Sequence, residues 1–148
     1  MPVPPFNEHG YLPPGVHHCT MAEIEERFAR FQRTDRRIRL FEKLKALVQN
    51  LKLSGKAIGI VVDGSFATAK DEPEDIDLVV ILRPDHDYGA DLRPFEYNAI
   101  TKAGAKRAYR FDLFAYPDGT EDCVRHIEFF QRTRERVDLN KGVLKVLL

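Results

Sequence analysis

The chain has 148 residues, 43% of them hydrophobic and 31% charged, a balance that fits one globular domain and excludes a disordered tail or a fibrous repeat. Its 23 Lys and Arg are matched by 23 Asp and Glu, which excludes bulk attraction to nucleic acid of the histone kind but leaves room for a local basic patch. The two cysteines, Cys19 and Cys123, make no disulfide framework, and the longest apolar run, residues 78–82, is too short to span a bilayer; the expectation is a soluble, reduced, cytoplasmic protein with no membrane partner.

Residues 1–19 carry prolines at 2, 4, 5, 13 and 14 and few periodic apolar positions, which predicts an extended lead-in packed on the domain, with no secretory signal. Residues 20–148 are then the domain itself. Thr20-Met21-Ala22-Glu23 has the form of a capping box, and Met21, Ile24, Phe28 and Phe31 share one helical face. A second helix is expected over residues 35–51, with Ile38, Phe41, Leu44, Val48 and Leu51 as its apolar stripe and Leu40 and Leu47 widening it.

After Ser54-Gly55 the pattern changes. Residues 57–62 are short, β-branched and bounded by glycine, a buried strand. A polar loop over 67–74 leads to a second strand over 75–82, ended by Pro84. Pro94 opens a helix that continues to about residue 103. Residues 107–116 read as a third strand, closed by Pro117-Asp118-Gly119. A helix over 120–132 is expected to bury Val124, Ile127 and Phe130, and residues 142–148 form a terminal strand. This order predicts an α+β or mixed α/β fold in one domain.

The chemistry concentrates between Asp63 and Leu82. Gly64-Ser65 ends one strand, and Asp75-Ile76-Asp77 begins the next. In a strand, residues i and i+2 face one side, roughly 6.6 Å apart, so Asp75 and Asp77 point together while Ile76 and Leu78 point inward. Two carboxylates on one face repel each other unless a divalent cation sits between them. Glycine at 64 lets a phosphate approach the backbone, and the Ser65 hydroxyl is placed to donate to a phosphate oxygen. Asp112, on an otherwise apolar-flanked strand, completes a three-carboxylate set if its strand lies beside that of Asp77. Such a set suits two metal ions clamping an in-line phosphoryl displacement. Lys70 is placed to neutralise β- and γ-phosphates, with an ordinary surface lysine as the bland reading. Asp63 is expected to support the turn, with a place facing the site as its other reading.

Gly64-Ser65, nine intervening residues and Asp75-Ile76-Asp77 resemble the signature of the DNA polymerase beta-type nucleotidyltransferase superfamily. More closely, residues 63–70 and 73–78 resemble small bacterial and phage proteins grouped with minimal and toxin–antitoxin nucleotidyltransferases. The likeness extends to residues 12–15, Thr20 and Glu23 in front and residues 141–144 behind. It implies an α+β fold with a mixed sheet and flanking helices, Mg²⁺ (or Mn²⁺), and an NTP donor. By the motif Asp75, Asp77 and Asp112 are the catalytic metal ligands, and Gly64 and Ser65 bind nucleotide, with Thr68 and Lys70 filling the loop where minimal enzymes often carry Arg-Gly. The helical acceptor domain of larger members has no counterpart in this chain, so the acceptor stays open: a protein side chain, an RNA 3′ end or a small molecule.

Two further readings stand beside this one. A catalytically silent nucleotidyltransferase-fold module, such as an antitoxin or phage-defence subunit, would use its acidic face or an exposed 142–148 strand to meet a toxin or other protein partner. An RNA-binding module would use the basic stretch at 30–45, which holds seven Lys or Arg against two acids, opposite an acidic stretch at 71–91 with eight acids and one Arg; the bland reading of each is a solvated face. The basic stretch at 132–136 has the same two readings. His17-His18-Cys19 lacks the spacing of a zinc chelate and is expected to pack.

Overall fold

Residues 3–30, 35–133 and 139–148 are described by the structure, a computed structural model. The first element is a short strand, β1 (Gly15–His18), within the stretch expected to be an extended lead-in. Thr20 then caps helix α1 (Met21–Ile24): its hydroxyl oxygen accepts from Glu23 N at 3.1 Å, and Glu23 Oε1 accepts from Thr20 N at 3.1 Å. The helix widens into one π turn, Glu25–Ala29, and Ile24 and Phe28 are fully buried. Phe31 and Arg33 lie outside the described residues, as does most of the 132–136 stretch.

Helix α2 (Arg36–Ser54) runs past its expected end to Gly55, whose φ of 65° closes it in the left-handed region. Its buried stripe is Arg37, Phe41, Leu44, Leu47, Val48 and Leu51. Ile38, expected inside, is 45% exposed; Arg37 takes the inward position, so the basic stretch is not a uniformly solvated face.

Strand β2 (Ala57–Asp63) leads through a 3₁₀ turn (Ser65–Ala67) to β3 (Asp77–Leu82). That strand starts two residues later than expected because the turn claims Asp75, whose carbonyl accepts from Phe66 N at 3.2 Å. The single helix expected after Pro94 is two, α3 (Pro94–Ile100) and α4 (Lys102–Tyr109). Extended Thr101 breaks them apart and caps the second, its Oγ1 accepting from Gly104 N at 3.1 Å. Residues 107–109 are therefore helical rather than strand. Arg110, at φ 64°, turns the chain into β4 (Asp112–Pro117). Helix α5 (Glu121–Phe130) is capped by Thr120 and buries Cys123 and Phe130, whereas Val124, expected inside, is 52% exposed. Strand β5 (Gly142–Leu147) completes the chain's elements.

The five strands form one mixed sheet in the order β1-β5-β2-β3-β4. Strand β2 is antiparallel to β3 and β5, while β4 runs parallel to β3 and β1 parallel to β5. The fold is α+β. Strand β5 lies inside the sheet, paired on both sides, so it offers no free edge to a partner; the outer strands are β1 and β4.

Alternation along the strands divides the core in two. Ile60, Val62, Leu78, Val80 and Leu113 pack with Ile24, Phe28, Phe41, Leu44, Ala99 and Ala105 of α1 to α4. Val61, Val79, Ile81 and Val143 pack with Cys123 and Phe130 of α5. Asp63 follows Val61 at i+2, and Asp77 precedes Val79 at i−2, so both acids extend the α5 face. Among the described residues no helix is long and apolar enough to cross a membrane.

Candidate functional site

Gly64 stands at φ 88° with no room for a side chain: a Cβ there would meet Asp75 O at 2.9 Å, Asp77 N at 3.0 Å and Ile76 Cα at 3.1 Å. The residue is glycine because the turn lies flush on the 75–77 backbone. Ser65 then ties the two segments together. Its N–H and Oγ–H both donate to Asp75 Oδ1, at 2.9 and 2.5 Å, while Oγ accepts from Glu74 N at 2.9 Å and Asp75 N at 3.3 Å. The hydroxyl proton expected to reach a phosphate is thus committed to fixing the Asp75 carboxylate.

The rest of the loop is equally committed. Ala67 N donates to Gly64 O, Thr68 N to Ser65 O and Ala69 N to Gly10 O, at 3.1, 3.2 and 2.9 Å, and Lys70 N donates to Thr68 Oγ1 at 3.2 Å. Each backbone amide from Ser65 to Lys70 has an acceptor within the chain. The carbonyls turn inward onto Arg37, which is fully buried. Its guanidinium donates to Phe66 O at 2.7 Å, Thr68 O at 2.6 Å, Lys70 O at 2.5 Å and Phe28 O at 3.0 Å, and lies over the Phe66 ring at 5.5 Å. Burial lowers its pKa to about 10, so it stays charged at neutral pH. Lys70 itself is exposed, 4.0 Å from Glu74 Oε1.

Three carboxylates form a row across neighbouring strands. Asp63 on β2 is the ladder partner of Asp77 on β3, and Asp77 is the ladder partner of Asp112 on β4. The expected adjacency of the Asp77 and Asp112 strands is present, and Asp63, for which the sequence favours turn support over a place facing the site, joins the row. Strand spacing of about 4.8 Å sets the separation. Burial, then Asp75, Asp63 and Asp112, push the Asp77 carboxyl up to about 7. Burial pushes Asp63 up to about 6, against the pull of Lys141 and the Gly64 amide. Lys141 Nζ lies 3.0 Å from Asp63 Oδ1, both side chains largely buried. Asp112 is half exposed, with Lys106 Nζ 3.1 Å from its Oδ1. In this arrangement, among the described residues, no three His, Cys, Asp or Glu side chains are gathered tightly enough to hold a metal ion.

The row opens into a cleft of about 850 Å³. Its lining includes Asp63, Gly64, Ser65, Asp75 and Asp77 with Thr68 to Lys70, together with His9 to Tyr11, Phe129 at the end of α5, Arg132 and Lys141. Of the residues expected in the site, Asp112 alone is not in the lining. Lys141, Arg132, Phe129 and Tyr11 were beyond sequence reasoning, because their segments meet the cleft only through the sheet order. Phe129, also in the lining, is 62% exposed.

Two of the other histidines, His17 and His126, have local partners. His17 Nε2 lies 2.6 Å from Pro13 O, and beside it burial pushes the Cys19 thiol up to about 12. His126 Nδ1 is 2.9 Å from Tyr116 Oη and its ring packs on Phe114.

A family model described as a family of unknown function, DUF6932, matches residues 4–147. No curated protein and no solved structure matches the chain.

Proposed function

We propose that the chain, which belongs to the DUF6932 family, is a nucleotidyltransferase with a nucleotidyltransferase-like fold, dependent on Mg²⁺ or Mn²⁺, that moves an NMP from an NTP to a hydroxyl acceptor with release of pyrophosphate. The observation that carries this reading is the register row Asp63–Asp77–Asp112, with Asp75 pinned to the Gly64-Ser65 turn at its end, opening into a cleft that also holds Lys70, Arg132 and Lys141.

The residues present fit a hard divalent cation. The donors are all carboxylate oxygens, and burial together with the charges of Asp75, Asp63 and Asp112 raises the Asp77 carboxyl to about 7, a cost that a bound cation offsets. Asp75 and Asp77 would hold it, with Asp112 joining from the next strand once Lys106 releases it. A bound ion would neutralise the triphosphate and lower the pKa of the attacking hydroxyl. The chain's own work is positioning. Ser65 fixes the Asp75 carboxylate, Arg37 holds the loop behind it, and the cleft cations bind the outer phosphates by side chain, since the loop amides are already occupied. Free, buried Cys19 and Cys123 suit the cytoplasm proposed as its setting.

A second reading, a silent module that keeps this surface for a protein partner such as a toxin, is favoured by one observation: Asp112 is paired with Lys106 and outside the cleft lining. Calorimetric titration of each NTP with Mg²⁺ into wild type and Asp77→Asn separates the two. Metal-dependent binding lost in a folded Asp77→Asn upholds the transferase reading and justifies an acceptor search among RNA 3′ ends, protein hydroxyls and small molecules. Absence of binding in wild type favours the silent module.

A further inference from the structure

The proposed triphosphate site lacks the usual backbone contribution. Phosphate-binding turns present free amides, but here the amides of residues 65–70 all donate within the chain. Recognition of a polyphosphate therefore falls to side-chain cations, and the cleft lining offers Lys70, Arg132 and Lys141. Lys70 and Arg132 are exposed. Lys141 differs from both: its side chain is 16% exposed and its Nζ is 3.0 Å from Asp63, itself 6% exposed.

Its backbone is fixed as well. Lys141 N donates to Gln131 O at 2.8 Å, and Gly142 N to Leu12 O at 2.9 Å. A Cβ on Gly142 would meet Pro13 O at 2.1 Å, so glycine lets the chain pack closely against residue 13 there. Only the flexible stem of Lys141 has freedom, and from that fixed root the ammonium stands at the end of the acidic row.

We infer that Lys141 is an exchangeable cation: it pairs with Asp63 in the free protein and passes to the polyphosphate of an incoming nucleotide when a divalent cation joins the acidic row. The inference rests on the proposed function and adds to it a phosphate ligand and an order of events. A bare divalent ion competes with the ammonium for the same field, whereas an ion arriving with a nucleotide gives the ammonium a new partner. Metal and nucleotide binding are therefore coupled through one side chain.

The test uses the full chain, with Mn²⁺ alone and each NTP with Mg²⁺ as probes, on wild type, Lys141→Gln and Lys141→Arg. Glutamine still offers Asp63 an amide N–H but no charge. Lys141→Gln is expected to bind Mn²⁺ about fivefold more tightly and the nucleotide about tenfold more weakly, while Lys141→Arg restores both toward wild type. Shifts of opposite sign uphold the inference; two losses together, or no change in either, overturn it and leave Lys141 a structural ion pair. Should Lys141→Gln not fold, the Lys141 ¹⁵Nζ resonance of wild type decides: it moves on adding Mg²⁺ and nucleotide together, and an unmoved resonance in a protein that binds both overturns the exchange. Wild type that binds neither probe overturns the proposed function and this inference with it.

Discussion

Asp63 and Asp77 are direct partners in the antiparallel ladder of β2 and β3, so two carboxylates share one face at directly opposed positions. Like charges so placed destabilise a sheet, and the protein answers with one buried cation, Lys141, on the Asp63 side only. Burial of both carboxyls and their mutual repulsion raise their proton affinity, and Lys141 with the Gly64 amide offsets this only in part.

That raised affinity gives a pH dependence opposite to the usual acid denaturation. The folded carboxyls titrate at about 6 for Asp63 and about 7 for Asp77, above the unfolded value of about 3.9. Between these limits the folded state binds more protons than the unfolded one, so this pair's contribution to stability is greatest below pH ~4 and falls as pH rises to ~7. Thermal midpoints of the metal-free protein are expected to drop between pH 5 and pH 8, and the drop to shrink in Asp77→Asn. Millimolar Mn²⁺ at pH 8 is expected to raise the wild-type midpoint and leave that of Asp77→Asn unchanged. A midpoint that rises steadily from pH 5 to pH 8 in wild type would contradict the raised carboxyls.

Arg37 supports the loop from behind. Replacement by Met leaves the carbonyls of Phe28, Phe66, Thr68 and Lys70 without their buried donor, at about 1–3 kcal/mol for each group that water does not reach. Urea unfolding of Arg37→Met is expected to show a loss of at least ~3 kcal/mol, a large share of a domain's stability. Arg37→Lys, a point charge without the planar fork, is expected to recover less than half of it. A loss below 1 kcal/mol in Arg37→Met would mean that the loop does not depend on the guanidinium.

Much of this was readable in the sequence, and the failures have physical causes. The Gly64-Ser65 turn and the Asp75-Ile76-Asp77 run are local, so their proximity followed from spacing. Arg37 sits four residues before Phe41, on the continuation of the Phe41–Leu44–Val48 stripe, but a charged residue at an inward position is read as solvated until its acceptors are seen. Those acceptors lie in a loop some thirty residues on. The split at Thr101 hides in a helix-favouring run, where the Thr101 cap overrides propensity. Strand β1 has one apolar residue, Val16, and pairs with β5 from the other end of the chain. Lys141 reached the acidic row by the same route, because β5 inserts between β1 and β2 and no local pattern encodes that order.

Gly64 and Gly119 contrast a crowded positive-φ glycine with an open one. Both have positive φ, 88° and 81°, but a Cβ on Gly119 meets nothing within 4 Å. Gly119→Ala is expected to lose about 1 kcal/mol, the conformational penalty alone. Gly64→Ala is expected to lose about 3 kcal/mol, because φ 88° with ψ −179° is a conformation essentially reserved for glycine and the new Cβ must also push back the 75–77 backbone. Equal losses in urea unfolding would show that neither that conformation nor the contact adds a cost.

Ser65 gives the sharpest test of which oxygens form the site. Its N–H and Oγ–H hold Asp75 Oδ1 at 2.9 and 2.5 Å, the arrangement by which a supporting group orients a ligating carboxylate. Ser65→Ala keeps every acid of the row and the backbone donor, and removes the hydroxyl donor and the acceptor for the Glu74 and Asp75 amides. If Asp75 ligates the cation, Mn²⁺ affinity is expected to fall about 10–100-fold with little change in unfolding free energy, since Asp75 is only part-buried. Thr68→Ala, which removes a hydroxyl from the same loop without touching Asp75, is expected to leave Mn²⁺ affinity near wild type. A Ser65→Ala protein that binds Mn²⁺ as wild type does would remove Asp75 from the ligand set and leave Asp77 to share the cation with Asp63 or Asp112.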